Sequence, residues 1–100
     1  MPLKLKMKKR FKAQLLSGHK EMMAVEVPFD PSEEWQIDPK PLWRGRRGHS
    51  VKAVINRVSF ESAIVPRQKK FYLLVNAETA KSAGISSGEF VEVSVKPSAE

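Results

Sequence analysis

The chain contains no cysteine. That excludes a disulfide framework and a thiolate metal site, and it fits a reducing compartment. Histidine is almost as scarce: His19 and His49 stand thirty residues apart with no flanking carboxylate pattern, so neither belongs to a metal or nucleophile constellation. At a turn and just ahead of a strand, both are expected to be solvent-exposed. No apolar run approaches the roughly 20 residues of a membrane-spanning helix. The opening MPLKLKMKKR imitates the basic start of a signal peptide, yet FKAQLLSG follows it in place of an apolar segment. The expectation is a cytoplasmic protein without a membrane partner. A glycine-rich phosphate loop is also missing.

What is present begins with charge. The formal net charge is +7, but six cations (Lys4, Lys6, Lys8, Lys9, Arg10, Lys12) fall in the first twelve residues, leaving 12 basic against 11 acidic side chains in the other 88. The basicity is concentrated in the opening segment, where alternation of Leu3, Leu5 and Met7 with Lys4, Lys6 and Lys8 would put a lysine ladder on the outer side of a strand. One hundred residues make one domain. Its expected parts are a basic extension over 1–10, a folded body over 11–96 and a tail over 97–100.

The last third parses most cleanly. Phe71, Leu73 and Val75 alternate with Tyr72 and Leu74, apolar on both sides, as in a strand inside the domain. Asn76 is placed to cap a helix over Ala77 to Ala83, and Gly84 to end it in a left-handed conformation, with Ile85 folding back on the helix. Beyond Gly88, Val91, Val93 and Val95 oppose Phe90, Glu92, Ser94 and Lys96, the pattern of a half-buried strand. Gly84-Ile85-Ser86-Ser87-Gly88 matches the G-x-S-x-G nucleophile elbow in letters only. The elbow needs a strand before and a helix after, with an acid and a histidine downstream, whereas here the order is reversed and no histidine follows Ser86. Ser86 belongs to a turn.

Earlier in the chain, Phe11, Ala13 and Leu15 form a strand ending at Ser17-Gly18, and Met23, Val25 and Val27 form its partner up to Pro28. Asp30-Pro31-Ser32-Glu33 reads as the start of a short helix running to about Trp35. Glu33 and Glu34 diverge by about a hundred degrees on a helix and cannot share a carboxylate site. Gln36 to Gly48, with its prolines, glycines and arginines, is expected to be the longest irregular loop. Val51, Ala53 and Ile55 lead through a tight turn near Asn56-Arg57, where Arg57 in place of glycine costs a little if the turn is of the type that needs positive φ twice, into a strand through Phe60, Ser62 and Ile64 or their alternates. Pro66 to Lys70 is expected to be a polar connection. About six strands in meander order with two short helices close into a small barrel or sandwich.

With these pieces in place the chain resembles a small bacterial family, the domain-of-unknown-function family nineteen-oh-five. The resemblance rests on Phe11-Lys12-Ala13, on Val25 to Asp30, on VKAVINRVSFESAIVPR from Val51 to Arg67, and on Tyr72 to Val95, with AGISSGEFVEV the most specific piece. It implies a mostly β fold, a small antiparallel six-stranded double-split barrel with one or two short helices, related in architecture to the AbrB, MazE and MraZ group. Arg57 stands where the family usually has the hairpin glycine, and the Trp35 to Gly48 loop and the lysine-rich start depart from its pattern. The family carries no established activity.

Three readings of function follow. The first is a non-catalytic binding module for a small anionic ligand or a protein partner, with Trp35, Trp43, Arg44 and Arg67 as its site, because aromatics beside arginine recur at recognition surfaces. Equally, the tryptophans would close the barrel ends as core residues. The second is nucleic-acid binding through Lys6, Lys8, Lys9, Arg10, Arg46 and Arg47, joined by Arg44, Arg67, Lys69 and Lys70, if the fold gathers them on one face. An enzyme is the third, and no catalytic residue, metal ligand or cofactor is assigned to it.

Overall fold

Apolar and polar residues alternate through most of this chain, and the alternation becomes strand. A computed structural model describes residues 8–17, 22–43 and 46–98. In chain order the elements are β1 (Lys9–Ser17), β2 (Met22–Val27), α1 (Pro31–Trp35), β3 (Lys40–Trp43), β4 (Arg46–Ile55), β5 (Val58–Arg67), β6 (Lys70–Asn76), α2 (Ala77–Ala83) and β7 (Phe90–Pro97). Neighbours pair antiparallel in the order β3-β4-β5-β6-β2-β1-β7, and β7 pairs again with β4. This last pairing closes β4, β5, β6, β2, β1 and β7 into a six-stranded barrel, which leaves no long open edge among them. β3 is an extra strand on the start of β4, beyond the point where β7 stops. Among the described residues no helix is long and apolar enough to cross a membrane.

Period two puts one side of every barrel strand inside. Leu15, Val25, Val51, Ala53, Ile55, Ile64, Leu73, Val75 and Val93 are fully buried, and each such valine or leucine contributes about 1.5–3 kcal/mol by leaving water. The helices close the two ends. At one end α2 sets Ala80 and Ala83 into the core, and Asn56 at the tip of the β4–β5 hairpin donates through Nδ2 to the Ala83 carbonyl at 2.9 Å. Asn76 caps α2 by accepting from the Thr79 amide at 2.8 Å. Gly84, at φ 71°, ends it with a paired cap in which its own amide donates to Lys81 O and the Ile85 amide to Ala80 O. At the other end Asp30 caps α1, and Trp35 drops into the barrel mouth, edge-on to Phe29 and His49 at centroid distances of 5.5 and 6.4 Å.

Several expectations are corrected. The stretch from Gln36 to Gly48 is not an irregular loop, because Lys40–Trp43 is a strand and Arg46 already begins β4. Pro41 concealed it; a residue without an amide donor is tolerated in β3 because that strand has a neighbour on one side only. Pro66 to Lys70 is likewise no loose connection. β5 continues to Arg67 and β6 starts at Lys70, with Gln68 and Lys69 at φ 52° and 70° forming a two-residue turn of the same kind as Asn56-Arg57 at 49° and 69°. β5 accepts Pro66 because its pairing with β4 has ended at Ile64. His49 is buried, not exposed: its Nε2–H donates to the Ile37 carbonyl at 2.7 Å.

Candidate anion-binding face

The outward residues of the barrel are as regular as the inward ones. Along β1 these are Arg10, Lys12, Gln14 and Leu16, along β7 Phe90, Glu92, Ser94 and Lys96, and along β4 Lys52 and Val54. Register then sets them side by side. Arg10 lies opposite Ser94 and Ser94 opposite Val54; Lys96 lies opposite Lys52, and Lys12 opposite Glu92. Lys8, just before β1, joins Lys52 and Lys96 around a hollow of about 400 Å³ whose floor includes Val54, Ser59 and Ser94.

The Lys52–Lys96 juxtaposition is the informative one. Like charges directly opposite across a strand pair destabilise the sheet, with Cβ atoms only about 4.5–5.5 Å apart. Glu61 faces Lys52 from β5, yet neither lysine forms an ion pair among the described residues; the pairs found there join Lys9 with Glu34 and Lys70 with Glu26. Three lysines and two serines therefore line one hollow, and Arg10 lies opposite one of those serines, Ser94. Glu61 is the one carboxylate among the described residues that line this hollow; donors and positive charge outweigh it, and the set is suited to phosphate oxygens.

The residues singled out from sequence are dispersed by the fold. Lys6 and Arg44 lie outside the described residues. Trp43 and Arg46 pair with each other across β3 and β4. Arg47 is exposed and donates to the Pro39 carbonyl at 3.1 Å. Trp35 is 3% exposed, so it offers no surface to a ligand, and its indole Nε1 has no hydrogen-bond partner among the described residues. Arg67 stands exposed at the β5–β6 hairpin, opposite Lys70. Lys9 points to the inner side of β1 and binds Glu34, while Lys8 and Arg10 point outward. Of the expected nucleic-acid set, then, Lys8 and Arg10 reach the face. Lys52 and Lys96 were missed. Each is the polar member of an alternating strand, which signals exposure, but nothing local signals that β4 and β7 are neighbours.

A family model described as a domain of unknown function (DUF1905) matches residues 11–95. The chain belongs to this family. No curated protein matches it. The DUF1905 span covers β2 to β6, both helices and all but the outer ends of β1 and β7, with Lys12 and Lys52 inside it and Lys8, Arg10 and Lys96 flanking it. The DUF1905 assignment identifies a scaffold without an activity, so function has to be argued from the face itself.

Proposed function

We propose that this DUF1905 domain is a non-catalytic binding module that takes the phosphate backbone of a nucleic acid on the outer face of β1, β7 and β4. Lys52 standing directly opposite Lys96 carries this reading: the fold gains nothing from that contact, and an anion laid between the two would relieve it. Lys8 and Arg10 extend the positive strip along β1, so several phosphates can be met at once. The small-ligand site expected around Trp35 draws no support from a buried indole.

Fluorescence anisotropy with a labelled oligonucleotide, titrated from about 20 to 200 mM salt, tests the reading. With Lys8, Arg10, Lys52 and Lys96 each neutralising one phosphate, log affinity should fall against log salt with a slope of about −2.8 for a single strand. Replacing Lys52 and Lys96 together by serine should flatten that slope by about 1.4. No binding at the lowest salt, or the same slope in the double variant, would refute it.

A further inference from the structure

Phe90 opens β7 and is the most exposed large apolar side chain among the described residues, at 65%. The other four phenylalanines, Phe11, Phe29, Phe60 and Phe71, all pack against the core; Phe90 alone turns its ring to solvent. A single exposed ring needs no explanation. This one is not isolated. It lies opposite Gln14, which makes Leu16 and Lys12 its diagonal neighbours at about 7–8 Å, and these residues with Pro28 line a hollow of about 340 Å³. Gln14 is held in place by donating through Nε2 to the Gly88 carbonyl at 3.0 Å, leaving its carbonyl oxygen and second N–H to face outward.

The hollow sits at one end of the cationic path. Lys8, Arg10 and Lys12 lead to it along β1 in steps of about 6.8 Å, all on the outer side. Carboxylates border the path: Glu92 lies opposite Lys12, and Glu26, on the rim of the hollow, is approached by Lys70 at 3.7 Å. They hold down the local positive potential, so charge alone gives modest affinity and a second source of binding energy is required. An aromatic face beside a row of cations supplies it for a chain whose bases are unstacked. In a duplex the bases are stacked and paired, and none reaches the ring without being extruded.

We infer that Phe90, with Leu16 and Gln14 around it, is a nucleobase-stacking subsite that makes the face selective for single-stranded over double-stranded nucleic acid. The inference rests on the nucleic-acid reading of the Lys52–Lys96 face and gives it a substrate class. The test compares a labelled single-stranded DNA, a single-stranded RNA and the corresponding duplex, using wild type, Phe90→Leu, Phe90→Trp and the Lys52→Ser/Lys96→Ser double variant. Phe90→Leu keeps apolar area at an exposed site, so its melting temperature should match wild type, while single-strand affinity should fall by about fivefold to 150-fold with the salt slope unchanged. Phe90→Trp should retain or tighten single-strand binding, and duplex affinity should respond to neither. If wild type binds and the lysine variant loses binding while Phe90→Leu does not, stacking is overturned and the backbone-binding reading survives. If wild type binds none of the three, both fall. A dimer by light scattering that Phe90→Leu dissociates would assign the ring to a second copy of the chain and also overturn the inference.

Discussion

Replacing Lys96 by glutamate should make this protein more stable and a poorer binder at once. Lys96 faces Lys52 in a direct cross-strand pair, and both side chains are exposed. Two ammonium groups about 8 Å apart in water repel by about 0.5 kcal/mol, and salt at physiological strength reduces this to a few tenths. A carboxylate at Lys96 turns repulsion into attraction of similar size, so the swing is about 0.5–1 kcal/mol, in the range measured for cross-strand charge pairs. For a domain of this length that raises the melting temperature by about 2–6 °C. The gain should shrink as salt is raised, because it is electrostatic and exposed. In the same protein the binding face loses the Lys96 phosphate contact, and the salt slope of single-strand binding should flatten by about 0.7. Differential scanning fluorimetry and anisotropy on one preparation read both effects. A Lys96→Glu variant that melts lower, or that melts higher and binds as wild type does, would refute the argument that this pair is kept for binding.

Three further outcomes concern the scaffold. Gly48→Ala should destabilise by about 1–3 kcal/mol in urea unfolding, since an added Cβ would lie 2.4 Å from the Ile64 carbonyl oxygen, a backbone atom that cannot turn aside; an unchanged midpoint would show that β4 and β5 can separate there. Arg57→Gly should raise stability by about 0.5–1 kcal/mol by relieving a side chain held at φ 69°, and a lower melting temperature would mean that the loss of unfolded-state constraint outweighs that relief. Trp35→Ala should lose about 3–5 kcal/mol through the cavity left between Phe29 and His49, whereas Trp35→Phe, which keeps a ring and removes the unpartnered Nε1–H, should lose about 1 kcal/mol or less; equal losses would contradict the claim that the ring, not its donor, matters.

What could be read from sequence alone were the features whose cause is local. Asn76 and Gly84 bound α2 because an Asn oxygen reaches the free amides of the next turn and glycine takes positive φ without a clash, and both depend on neighbours within a few residues. The Asn56-Arg57 turn and the inward series Val91, Val93 and Val95 are of the same kind. Prolines misled where their effect depends on what stands alongside: Pro41 is tolerated in an outer strand and Pro66 beyond the last β4 pairing, and neither partner lies nearby in sequence. His49 was misjudged because the Ile37 carbonyl that satisfies it arrives only when β4 folds under α1. Apart from Lys8 and Arg10, the candidate face belongs to this second class. Alternation determined that Lys52, Lys96, Arg10 and Phe90 would face outward; only barrel closure, which brings β7 between β1 and β4, decided that they would face outward together. Period two is a property of one strand, whereas proximity across strands is a property of register, and register is set by the whole buried core.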